Sequence, residues 1–215
     1  MKEELVMDKL LKLYYGLGWK SLFARIRLMD APYNQTESLI QKNGTIVELG
    51  CGEGLFSNYL ALKCEERKII GIEIDKQRFK QANRNLKNTK FMFGDATRAN
   101  IPKCDVIVMM HLLHHLHSFK DQEKLLTECI KKINKNGKII IVEVDPRISI
   151  KYLFAFIADH FLVPWIFEKR LYSKIYFRKR KDWISLLNKL GFEVKAYAAD
   201  KHMPFSHIIF ECFTP

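Results

Sequence analysis

The chain has little of what marks a secreted, membrane-spanning or metal-stapled protein. Its five cysteines (Cys51, Cys64, Cys104, Cys129 and Cys212) are scattered, odd in number and form no CxxC pair. That argues against a disulfide framework or a zinc knuckle and favours a reducing compartment. The opening MKEELVMDKLLKLYY is charged, with no apolar stretch ahead of a small-residue cleavage site. It does not read as a secretory signal, so a cytoplasmic location is expected. The apolar run Tyr152 to Phe167 holds sixteen residues and is interrupted by Pro164, short of the about 20 that span a bilayer. No internal repeat is visible. Acidic residues are in deficit: 24 Asp+Glu against 36 Lys+Arg leave a net charge of +12. Such an excess allows nucleic acid, an anionic membrane face or an acidic substrate carrier as partner, and does not choose among them.

What is present is a glycine turn. Thr45 to Gly54 reads TIVELGCGEG, with β-branched residues leading into Glu48, glycines at 50, 52 and 54, and then the amphipathic run LFSNYLALKC. That order predicts strand, tight turn and helix, because glycine lets the backbone turn sharply and approach a ligand closely. Nineteen residues beyond Gly54, the strand-like KIIGIEID carries Glu73, where nucleotide-binding α/β folds hold a ribose. The pattern is ExGxGxG rather than GxGxxG, and an acid opening the turn favours a cationic ligand over a pyrophosphate.

On these residues the sequence resembles the class I S-adenosylmethionine-dependent methyltransferases, from Gly44 to Phe213. The resemblance implies a Rossmann-like α/β fold: a seven-stranded, mostly parallel sheet, helices on both faces, the last strand antiparallel. It implies S-adenosyl-L-methionine as cofactor, with Glu48 near its methionine part, the turn Gly50, Cys51, Gly52 and Gly54 beneath it, and Glu73 with Ile74 at the ribose. Asp95 with Ala96 then falls at the adenine amino group, although an Asp at a strand end is equally an ordinary turn residue.

Taken in order, Val6, Leu10, Leu13 and Leu17 recur at helical spacing, predicting a leading amphipathic helix. Residues 1–40 are read as an N-terminal helical cap, either a lid over the substrate or a helix packed on the sheet. Residues 41–215 form the methyltransferase domain. Asp75 is placed to cap the helix KQRFKQANRNL. A third strand is expected over 90–93, a fourth over 105–110, a helix over 122–133, a turn over 134–137 and a fifth strand over 138–144. A last helix over 181–190, closed by Gly191, precedes strands over 192–199 and 207–213.

After strand four comes HLLHHLHSF, with His111, His114, His115 and His117. Such density invites a metal site, but no acid or cysteine cluster completes a ligand shell. The resembling family carries a similar turn beside its cofactor without metal, so none is expected. His111, His114, His115 and His207 are the candidate general bases, since imidazole titrates near neutrality. Ligands in parallel α/β sheets sit at the carboxyl ends of the strands, which gathers Glu48, Glu73, Asp95, His111, Glu143 and Asp145 on one edge.

The stretch 146–180 is read as an apolar and basic helical insertion. Its aromatic residues alternate with Lys169, Arg170, Lys174, Arg178, Lys179, Arg180 and Lys181. That suits a lid over a lipophilic substrate or peripheral contact with an anionic membrane at its inner face; packed core with a solvated basic face is the plainer alternative. Tyr172, Tyr176, Glu143 and Asp145 are candidate substrate contacts. The preferred function is methyl transfer, with O-methylation favoured, to a lipophilic small molecule or a carrier-bound acyl or aromatic acceptor. This finer likeness is to small bacterial methyltransferases of lipid and pigment pathways. An RNA methyltransferase is the alternative, disfavoured because MMHLLHHL stands where base-amino enzymes carry an Asn/Asp-Pro-Pro-aromatic stretch; nucleic acid is therefore not the expected partner. A non-catalytic binding protein on the same frame is the third reading.

Overall fold

In the computed structural model, residues 3–15, 31–145, 175–199 and 206–214 are described. The elements are α1 (Glu3–Leu13), α2 (Tyr33–Ser38), β1 (Gly44–Leu49), α3 (Leu55–Lys63), β2 (Arg67–Glu73), α4 (Lys76–Ala82) and β3 (Thr89–Phe93). They continue with β4 (Cys104–Met110), a 3-10 turn (Leu113–His115), α5 (Phe119–Ile130), β5 (Ile133–Val144), α6 (Arg180–Lys189), β6 (Glu193–Ala198) and β7 (His207–Phe213). The strands form one seven-stranded sheet in the order β3-β2-β1-β4-β5-β7-β6. β1 to β5 run parallel, and β7 is antiparallel to both β5 and β6. The expected fold class therefore holds, with the reversed strand lying between its two neighbours.

Alternation along the central strands explains why both faces are covered. Ile46, Val106, Val108, Ile140 and Val142 point into one core, against Val6 and Leu10 of α1 and Phe56, Tyr59 and Leu60 of α3. Their neighbours Val47, Ile107, Met109, Ile139 and Ile141 point into the other, against Leu125 and Leu126 of α5 and Trp183 and Leu187 of α6. Successive side chains of a strand face opposite sides, so strands apolar at every position need a layer on each side. Among the described residues no helix is long and apolar enough to cross a membrane.

Three boundaries depart from expectation. Helix α4 stops at Ala82 because Asn83 is extended and Asn85 takes a left-handed φ of 58°. Helix α5 starts three residues earlier than expected, where Ser118 caps it by accepting the Asp121 N–H, and it ends at Ile130. The expected 134–137 turn is a bulge inside β5. Between the pairs Cys104↔Ile133 and Val106↔Lys138, β4 advances by two residues while β5 advances by five. Asp105 holds the bulge, accepting the Asn134 side-chain amide at 2.8 Å and the Thr45 N–H of β1 at 2.7 Å.

Candidate active site

The β1–α3 turn is tied to the end of β2. Gly50 and Cys51 both donate their N–H to the Ile72 carbonyl. Glu73 accepts the Gly52 N–H at 2.7 Å on one carboxylate oxygen and the Asp75 N–H at 2.8 Å on the other. Gly52 and Gly54 require glycine for two reasons. Their φ values are 56° and 74°, and a Cβ would lie 2.5 Å from Arg78 Nη2 at Gly52 and 2.9 Å from the Ala82 carbonyl at Gly54. Arg78 reaches that place by a two-pronged ion pair with Glu53, at 2.9 and 3.0 Å.

Glu48 is buried and accepts the Ser57 hydroxyl from α3 at 2.5 Å. Cys51 is buried beside it, and burial, reinforced by the charges of Glu48 and Glu73, pushes its thiol well above the usual range. Next to Glu73, Ile74 is 60% exposed. Asp95 follows β3 and accepts both the backbone N–H and the hydroxyl of Thr97, at 2.8 and 2.7 Å; Ala96 lies within this turn.

The histidines divide among different environments. His111 directly follows β4 with a left-handed φ of 52° and donates its N–H to the Val142 carbonyl. Its ring stacks on His207 at 4.8 Å between centroids. The antiparallel course of β7 makes this possible, since His207 opens that strand opposite Val144. His114 is hydrogen-bonded through Nδ1 to Glu143, each side chain only 1% exposed. Glu143 also accepts the Leu113 N–H at 2.9 Å. Phe177 stacks on His114 at 4.9 Å, whereas His115 and His117 are exposed. Asp145 is buried and donates its N–H to the Ser206 carbonyl. Tyr176 donates its N–H to the His114 carbonyl and lays its ring edge-on to Phe119. Tyr172, like most of the 146–180 stretch, lies outside the described residues. Among those described, no group of three or more His, Cys, Asp or Glu side chains is placed to hold a metal ion.

The carboxyl edge thus carries a glycine turn with acids beside it and, across Leu112, a histidine turn. The two turns touch: a Cβ on Gly50 would stand 2.7 Å from Leu112 Cδ1. The methyltransferase domain family matches residues 22–197. The chain belongs to that family. It is 26% identical over 147 residues to a demethylmenaquinone methyltransferase of Thermotoga maritima, covering 67% of the chain and 63% of that relative, so it spans less than two thirds of that relative's length. It superposes on an S-adenosylmethionine-dependent methyltransferase of the same organism with a TM-score of 0.67 at 18% identity, covering 95% of this chain and 99% of the other. The magnesium protoporphyrin IX methyltransferase of Synechocystis PCC 6803, solved with bound S-adenosylhomocysteine, gives a TM-score of 0.62 at 15% identity, covering 85% and 83%.

The chain's own atoms suit an S-adenosyl cofactor. Each Glu73 oxygen carries one backbone bond and keeps a second lone pair for a ribose hydroxyl, and the glycines let the turn pack directly against Leu112, Arg78 and Ala82. Sequence reasoning missed Ser57, Arg78 and Gln122. Gln122 is buried and donates its side-chain N–H groups to the Leu113 and Tyr176 carbonyls, while its oxygen accepts from Arg178. Arg78 had one signal, its place three residues after the cap Asp75; Ser57 and Gln122 had none.

Proposed function

We propose that this chain transfers a methyl group from S-adenosyl-L-methionine to a lipophilic small molecule or a carrier-bound acyl or aromatic acceptor, with oxygen as the receiving atom. The observation that carries this reading is the meeting of the glycine turn and the histidine turn through Leu112 at one sheet edge. When bound, the sulfonium supplies an activated methyl group. Glu73, Ile74, Asp95 and Ala96 hold the nucleoside end, and Glu48 with the 50–54 turn holds the amino-acid end. The chain's contribution is then alignment, since in-line displacement needs donor and acceptor about 3 Å apart.

A phenolic acceptor must lose a proton, and His111 takes it in this proposal. It is the histidine next to Leu112 and stacked on His207, so it lies between the cofactor turn and β7. His114, clamped by Glu143, fixes the backbone that presents it, and Tyr176 joins the acceptor side. The apolar and basic 146–180 stretch covers a greasy acceptor or touches an anionic membrane, and the lipophilic names among the relatives support that choice.

The first test is calorimetry with S-adenosylhomocysteine. The wild type binds and Glu73→Ala binds roughly 10- to 100-fold more weakly, the loss expected for charge-assisted hydrogen bonds. Turnover is then screened on phenols, quinones and acyl carriers. Absence of binding by the wild type overturns the cofactor assignment; turnover confined to RNA overturns the acceptor class.

A further inference from the structure

Helix α1 lies outside the residues that the family matches, 22–197, yet it reaches the glycine turn. Of the two tyrosines that follow it, Tyr15 is 87% exposed and Tyr14 is 2% exposed. The Tyr14 hydroxyl donates to the Glu53 carbonyl at 2.7 Å and accepts from the Asn58 side-chain amide at 2.9 Å. The Asn58 side-chain nitrogen also lies within hydrogen-bond reach of the Gly54 and Ala82 carbonyls, its two N–H groups being shared among three acceptors. The Arg84 guanidinium covers the Tyr14 ring at 4.3 Å. Burial pushes the phenol's pKa up, so the hydroxyl remains a donor.

Glu53 is therefore held at both ends. Its carbonyl is fixed by Tyr14 and its carboxylate by Arg78, and Arg78 occupies the space a Gly52 side chain would need. Glu53 lies between Gly52, whose N–H is held by Glu73, and Gly54, whose N–H is held by the Cys51 carbonyl, so its bond to Tyr14 is the restraint that α1 adds to the turn. α1 has its own apolar anchor in Val6 and Leu10, both fully buried in the core shared with α3.

We propose that Tyr14 is a positioning residue that couples the docking of α1 to the shape of the cofactor turn. The proposal rests on the cofactor reading given above. With α1 docked, the turn is held ready for its ligand; with α1 released, Glu53 loses its carbonyl partner and the turn its shape. Coupling of this kind is reciprocal: whatever factor docking contributes to ligand affinity, the ligand returns to docking.

The test uses the full chain and Tyr14→Phe, which keeps the ring under Arg84 and removes only the hydroxyl. S-adenosylhomocysteine binding is measured by calorimetry, and amide hydrogen exchange is followed with and without it. In the wild type the ligand slows exchange over 3–13 as well as over 50–58. In Tyr14→Phe affinity falls about fivefold, the worth of one ordinary hydrogen bond, and the ligand no longer slows exchange in α1. A merely structural tyrosine would lower stability without altering the ligand dependence of α1. Unchanged affinity in Tyr14→Phe, or wild-type protection confined to 50–58, overturns this proposal and leaves the cofactor reading standing. Absence of binding by the wild type overturns both.

Discussion

Glu143→Gln is the substitution whose effect the geometry defines most sharply. The Glu143 carboxylate is buried, accepts the Leu113 N–H at 2.9 Å and is paired with His114 Nδ1. Glutamine has the same shape but one acceptor oxygen and one donor NH2 group. Its oxygen can keep the Leu113 N–H, but a neutral NH2 group then replaces a carboxylate oxygen at His114 Nδ1, so the charge-assisted bond is lost and the ring must take its other tautomer. The loss is one buried, charge-assisted hydrogen bond, about 3 kcal/mol. For a chain of 215 residues, at about 2–4 °C per kcal/mol, Tm should fall by roughly 6–12 °C. Thermal unfolding followed by circular dichroism measures it directly. A cycle with His114→Leu and Glu143→Leu separates the pair from its surroundings: the double variant should be more stable than the sum of the single losses predicts, because neither polar partner is then left buried alone. A Glu143→Gln midpoint within about 1 °C of wild type, or a cycle with no coupling, would refute the reasoning that this pair anchors the histidine turn to β5.

Two further outcomes follow from the glycine turn and the thiols. Gly52→Ala should lose about 1–2 kcal/mol from the left-handed backbone alone. Its Cβ also displaces Arg78, so S-adenosylhomocysteine affinity should fall with Tm; calorimetry showing undiminished affinity would mean the turn tolerates the displacement. Iodoacetamide at pH 8 on the native protein, read by mass spectrometry, should label Cys64 first. Cys51, Cys104, Cys129 and Cys212 are buried with thiols raised by that burial, Cys104 to about 12, so raising the pH from 7 to 9 adds little thiolate at these four. Rapid labelling of Cys51 would contradict its buried place in the turn.

How much could be read beforehand depended on whether the signal was local. The apolar strand over 105–110, the Asp75 cap with its bonds from the Gln77 and Arg78 N–H groups, and the glycine turn between a strand and a helix each lie within one short stretch. Their physics is that of neighbouring residues, and they appear as expected. The Asn134 to Gly137 turn was legible as a turn but not as a bulge, because only the pairing with β4 and the side chain of Asp105 turn it back into the strand. Contacts made across the chain left no pattern: Ser57 with Glu48, Arg78 with Glu53 and Tyr14 with Glu53 join residues 9, 25 and 39 positions apart. The histidine run shows the same limit. Its density was plain, but its division into a pair stacked across β4 and β7, a carboxylate-bound ring and two exposed rings is decided by strands from elsewhere in the chain.

The reversed strand β7 also sets an order of events during synthesis. Its neighbours β5 and β6 are both made before it, and among the described strands β6 pairs with β7 alone. As the chain emerges amino end first, β1 to β5 can assemble a parallel sheet from contacts already made, whereas β6 has no ladder to join until 207–213 arrives. The same arrival delivers His207 to His111. A nascent chain stalled between β6 and β7 would thus expose the edge of β5, a hazard for wrong pairing, and would hold the glycine turn but only half of its histidine stack.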